Sequence, residues 1–150
     1  MGAYADKAVQ LFKEGYNCSQ AVFAAFAEKY GIDQELALRL SASFGGGMGR
    51  MREVCGAVSG MLMAIGMETG SVTGSDREGK AANYAEVQAL AGLFREKNGS
   101  IICRELLGLE QKEAQGSHVP EKRTDTYYKK RPCVELVRDA AEILEERFVR

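Results

Sequence analysis

Four cysteines, Cys18, Cys55, Cys103 and Cys133, are the residues of this chain best suited to chemistry. They lie far apart in sequence and form no C-x-x-C pair, so neither a zinc ribbon nor a thioredoxin-type motif is written locally. Their neighbours are more informative. Cys18 follows Asn17, a good helix cap, with Gln20 in capping-box position. Cys103 lies three residues after Ser100, a second candidate cap, and Cys133 follows Pro132, which suits the first position of a helix. Cys55 comes just after the glycine-rich stretch Phe44-Gly45-Gly46-Gly47-Met48-Gly49. Each cysteine is thus expected in or near the first turns of a helix, where unpaired backbone N–H groups and the helix dipole favour a thiolate. Each also begins an apolar stripe, such as Cys18, Ala21, Val22, Ala25 and Cys133, Leu136, Val137, Ala140. All four should therefore face the core side, and several helix starts could converge on one sulfur-lined pocket. Arg50, Arg52, Arg104 and the run Lys129-Lys130-Arg131 lie nearby in sequence and would favour thiolate further. The residues alone leave a second reading equally open, in which four small buried cysteines are inert core.

The elements that must position these residues are helical. Ala5, Ala8, Val9 and Phe12 mark a first helix ended by Gly15, and a second runs from the Asn17 cap to about Tyr30, stopping at Gly31. Asp33 caps a short third helix through Ser41. The glycine stretch is expected to be a loop. A fourth helix carries Val54, Ala57, Val58, Met61, Leu62 and Ile65. After a polar linker from Gly70 to Gly79, Ser75 or Asp76 caps a fifth helix that ends before Gly99, and Ser100 caps a sixth that ends at Gly108. Glu110 to Arg131 reads as polar and irregular, and Pro132 opens a last helix with Leu136, Val137, Ala140 and Leu144. Strict alternation is scarce. The expected fold is all-α, one domain over residues 1–150, a bundle of about seven helices.

Composition limits the rest. Hydrophobic residues make up 45% of the 150 residues and charged residues 27%, the proportions of a globular chain with a real core. The net charge of −1 gives no basic face for nucleic acid. The first residues show no secretory pattern, and no apolar run reaches the eighteen or so residues a membrane span needs. The chain is expected in the cytoplasm, where thiols are kept reduced and cysteines serve chemistry or metals more than staples.

Other candidates are weaker. The glycine stretch lacks the Gly-Lys-Ser/Thr of a phosphate loop and reads as a turn shaping the cysteine pocket. His118, the only histidine, reads as a surface residue, which argues against a Cys–His hydrolase. Tyr127-Tyr128 with the following basic run reads as a solvated loop. Gly56 and Gly60, four apart on one helix face, read as close packing of another backbone or a cofactor.

Tyr16-Asn17-Cys18-Ser19-Gln20-Ala21-Val22, then the glycine stretch, then Cys55-Gly56-Ala57-Val58-Ser59-Gly60, followed by Cys103 and Cys133, resembles the C_GCAxxG_C_C family of redox-active proteins from bacteria and archaea. The match runs from about Tyr4 past Cys133. It implies four cysteines acting together; Gly45, Gly46, Gly47 and Gly56 are read from the residues themselves as shaping the pocket and any cofactor site in it. A related cysteine arrangement in the split-Soret cytochromes adds the option of an iron–sulfur centre. This chain has no C-x-x-C-H, so haem is not expected. The leading expectation is a thiol/disulfide protein in which Cys55 is the reactive thiolate, Cys18 its resolving partner, and Cys103 with Cys133 a second pair or ligands. The alternatives are the same four cysteines holding an iron–sulfur cluster or zinc, and a non-enzymatic helical partner module. A redox partner protein is expected. The sequence leaves its identity, and whether the chain forms a homo-oligomer, open.

Overall fold

The first helix, α1 (Ala3–Lys13), buries Ala5, Ala8, Val9 and Phe12, the stripe its periodicity predicts. In α2 (Cys18–Ala25) the cap is the reciprocal one expected: the Asn17 side chain accepts from the Gln20 backbone N–H, and the Gln20 side chain accepts from that of Asn17. The helix stops at Ala25, and a short 3-10 turn (Glu28–Tyr30) completes the segment before left-handed Gly31. Asp33 caps α3 (Gln34–Ser41). These positions come from a computed structural model that describes residues 2–109, 117–125, 127 and 131–149.

A 3-10 turn (Ala42–Phe44) leads into α4 (Gly45–Met48), a single turn broken by left-handed Gly46 and Gly47, so the expected loop is an irregular one. Next, α5 (Gly56–Thr69) starts later than the apolar stripe suggested. Val54 lies outside it, paired with Ile102 in an isolated antiparallel bridge. Asp76 caps α6 (Arg77–Asn98), so the linker is shorter than expected, and Gly99 ends it in the left-handed region. Ser100 does not cap α7 (Cys103–Leu106). Its hydroxyl accepts from the Ile102 N–H and donates to Glu105, while Ile102 stands at the cap. Pro132 is one step outside α8 (Cys133–Phe148) rather than its first residue. Of the expected irregular segment, residues 110–116, 126 and 128–130, Tyr128 and Lys129-Lys130 included, lie outside the described residues.

The architecture is all-α and single-domain. At its centre is α2, whose Ala21, Val22, Phe23, Ala24 and Ala25 are all buried, as a helix that is apolar on every side must be. It packs against α1, α3, α5 and α8. Phe12, Phe26, Met61, Ile65, Phe94 and Leu144 fill the core, and Tyr4 stacks on Phe26 at 4.7 Å between ring centres. Buried Glu145 of α8 reaches the free start of α1 and accepts from the Ala5 and Tyr4 N–H groups at 2.9 and 3.3 Å. No helix among the described residues is long and apolar enough to cross a membrane.

Candidate functional site

All four cysteines stand at helix starts: Cys18, Cys103 and Cys133 are the first residues of α2, α7 and α8, and Cys55 is the cap of α5. All four line one cavity of about 310 Å³. None is in a disulfide, and only Cys133 is more than marginally exposed.

Local structure explains how distant segments meet here. Cys55 N–H donates to Ile101 O at 2.8 Å, and Cys103 N–H donates to Glu53 O at 2.6 Å, on either side of the Val54–Ile102 bridge. That bridge carries Cys55 and Cys103 to the cavity together and satisfies the first N–H groups of α7 with carbonyls of a neighbouring segment. On the other side, the Asn17 side chain donates to Ala42 O, and the buried Ser19 hydroxyl donates to Ser41 O, which tie the start of α2 to the end of α3.

The glycines are close-approach positions. A side chain at Gly47 would stand 2.6 Å from Cys103 Cβ and 2.7 Å from Glu53 N, and one at Gly56 3.1 Å from Cys18 Cβ. One at Gly45 would overlap the Asn17 side chain. At Gly60 it would meet Ser19 O at 2.7 Å, so Gly56 and Gly60 let α5 lie close on α2. Gly46, Gly47, Met48, Gly49 and Arg50 are consecutive left-handed residues, and Arg52 adds another at φ 63°. Left-handed backbone costs about 1–2 kcal/mol at each non-glycine position. The strain is held by Arg50 N–H on Gly45 O and Glu53 N–H on Gly47 O, at 3.2 and 2.9 Å. It directs Arg52 into the cavity wall, with Nη1 3.7 Å from Cys103 Sγ.

The cysteines are electrically distinct. Cys133 accepts from the Cys18 thiol and the Tyr127 hydroxyl and sits near Arg131 and Arg123; these outweigh its burial and bring it down to about 7. The same hydrogen bond, followed by burial, pushes the Cys18 thiol well up. Burial pushes Cys55 up to about 12, although the Val58 and Ala57 N–H groups at the start of α5 favour its thiolate. Burial also raises Cys103, against the pull of Arg52. The expectation that Cys55 is the reactive thiolate meets an opposing force. Its helix start favours the anion as supposed, but enclosure in hydrocarbon outweighs that, whereas Cys133 has two donors and two cations.

Two residues of the site, Tyr127 and Arg123, were not singled out for it by the sequence, while a third, Arg131, belongs to the basic run expected nearby. Tyr127 was expected in a solvated loop, but it is half-buried and donates to Cys133. Arg123 donates to Phe12 O and Tyr16 O beyond the end of α1, and its guanidinium stacks on the Phe12 ring. Arg131 pairs with Glu121. The segment carrying Pro120, Glu121 and Arg123 thereby forms one wall of the cavity, with exposed His118 at its edge. A polar stretch without periodicity hides such roles, because they depend on long-range contacts. The cations nearest in sequence fared unevenly: Arg50 and Arg52 line the cavity, while Arg104 turns to Glu53 at 3.6 Å and Lys129-Lys130 lie outside the described residues.

For the expected zinc, the donor set is right but the placement is not. Among the described residues no three His, Cys, Asp or Glu side chains are grouped to hold one metal ion. An iron–sulfur cluster spaces its four thiolates more widely than a single ion does. The purification described below separates that option from thiol chemistry.

The comparisons with known proteins agree with this pattern of residues. A protein of Archaeoglobus fulgidus, described only as "Uncharacterized protein", is 28% identical over 144 residues, covering 91% of this chain and 87% of its own length. No solved structure matches. Residues 16–147, a span that includes all four cysteines and the glycine turn, match the family described as "Putative redox-active protein (C_GCAxxG_C_C)", and the chain belongs to that family.

Proposed function

We propose that the protein is a two-electron thiol/disulfide carrier in which Cys133 is the nucleophile and Cys18 the resolving thiol. The observation that carries this reading is that Cys18 and Cys133, two first-turn cysteines of different helices, line one cavity and shift each other's thiol in opposite directions. The Cys133 thiolate attacks one sulfur of a disulfide substrate, and the other sulfur leaves as a thiolate and takes up a proton. Cys18 then gives up its proton and attacks Cys133 Sγ, releasing the second substrate thiol. The balance is one substrate disulfide reduced to two thiols, and Cys18 and Cys133 oxidised to one disulfide. Tyr127 stabilises the attacking thiolate, and Arg131 and Arg123 hold its charge. Cys55 and Cys103, held together by the Val54–Ile102 bridge, form the second pair, which exchanges with the first.

The test is to treat the reduced protein with a small aromatic disulfide, block free thiols and map the bonds by mass spectrometry. The expected first product is a Cys18–Cys133 disulfide, with Cys55 and Cys103 blocked as thiols, and Cys133→Ser should abolish it. Four thiols that all survive the treatment would falsify the proposal. Purification without oxygen supplies a second check. A colourless protein is expected, and a brown one with visible absorption and stoichiometric iron replaces the thiol reading with an iron–sulfur one.

A further inference from the structure

Arg52 is a buried cation without a counter-ion among the described residues. The residue is 6% exposed, and its Nε has no hydrogen-bond partner among the described residues. Its Nη1 faces Cys103, whose sulfur burial keeps in the neutral thiol form. The other arginines of the cavity wall are engaged. Arg123 serves Phe12 O and Tyr16 O, Arg131 serves Glu121, and Arg50 Nε donates to Ser117 O at 2.7 Å. Glu53, the carboxylate nearest in sequence, pairs with Arg104 instead. Among the described residues, four guanidinium groups thus line the cavity against one carboxylate, Glu121. A buried charge left unpaired is costly, and a guanidinium fork matches an oxyanion better than it matches a thiol. The strained backbone at Arg52 is a further cost that the fold carries to keep this side chain in the wall.

We propose that the cavity binds a small oxyanion, the carboxylate or tetrahedral oxyanion head of a small molecule, on Arg52 with Arg50 beside it. The space of about 310 Å³ is at the small end of ligand pockets, so the occupant is a metabolite-sized anion. As an anchor for the molecule that Cys133 attacks, this site rests on the thiol/disulfide reading; as a binding site it does not.

The experiment is calorimetric titration of the reduced full chain near pH 6, where the thiols are mainly protonated, in a chloride background of constant ionic strength. Sulfate is one arm and citrate the other, and saturable one-site binding of either supports the proposal and tells the tetrahedral head from the carboxylate. Arg52→Gln should weaken it at least tenfold, and Arg39→Gln, which alters an exposed residue of α3, should leave it unchanged. Arg52→Asn, a residue that tolerates left-handed backbone, should lose binding while keeping or raising the thermal midpoint, which a merely structural arginine would not allow. Absence of saturable binding in both arms, or binding that survives both Arg52 variants, overturns the proposal. The two readings fail separately: an anion-binding protein with four inert thiols loses only the first, and a protein that forms the Cys18–Cys133 disulfide but binds neither anion loses only the second.

Discussion

At the scale of single residues, what separates the four thiols is how many partners each anion would have. Cys133 has the Cys18 thiol, the Tyr127 hydroxyl and two guanidinium groups, whereas Cys55 has backbone N–H groups and hydrocarbon. The sign of the pH dependence follows. A thiol brought down to about 7 is half ionised at neutral pH, so alkylation of Cys133 should climb through pH 6 to 8 and then level off. Cys18 should stay unreactive far beyond that range, because its proton is held by the Cys133 anion. Replacing Tyr127 with Phe keeps the ring and removes one donor. Cys133 should then titrate higher, and an upward move of one unit cuts its thiolate at pH 7 about fivefold. Site-resolved alkylation rates measure both. A wild-type Cys133 profile with its inflection near the ordinary thiol value of 9.0 would show that these donors do not act on it.

At the scale of elements, the same station recurs: a cysteine at a helix start, reached by a segment that a cap, a bridge or a glycine turn brings into place. Much of this was legible in the sequence, because it is local backbone chemistry. The Asn17–Gln20 capping box, the Asp33 and Asp76 caps and the Gly31 and Gly99 stops are each decided within a few residues. The start of α5 was misread because Val54 continues the apolar stripe although its backbone pairs with Ile102, a residue far along the chain. The roles of Tyr127 and Arg123 were hidden for the same reason, since each depends on long-range contacts. The glycine pair is the element-level feature most open to test. Gly60→Ala sets a methyl 2.7 Å from Ser19 O and 3.1 Å from Val22 Cβ, on a backbone that cannot swing aside. Forcing α2 and α5 apart should cost about 1–3 kcal/mol in urea unfolding. An unchanged midpoint would mean that the two helices do not rely on this close approach.

At the scale of the whole molecule, the cavity is where chain segments remote in sequence are held by their ends, so its redox state and the stability of the fold must be linked. A Cys18–Cys133 bond would join the start of α2, the central helix, to the start of α8, which also packs on α1 and supplies Glu145 to its first turn. Closing so long a loop restricts the unfolded chain, and stabilisation of about 2–4 kcal/mol is the usual scale. The oxidised protein should therefore unfold at higher urea than the reduced one, and Cys18→Ser should remove the difference. The thermodynamic cycle makes the prediction stricter. Whatever free energy the bond adds to the fold must also make it harder to reduce in the folded chain than in the unfolded one, by about 30 mV for each 1.4 kcal/mol. Urea unfolding of both redox forms and glutathione titration of the folded and urea-unfolded chain give the two quantities independently. A midpoint difference that survives Cys18→Ser would place the disulfide elsewhere than between α2 and α8. An oxidised form less stable than the reduced one would mean that the two helix starts must be strained to meet, and that the bond is built to be broken.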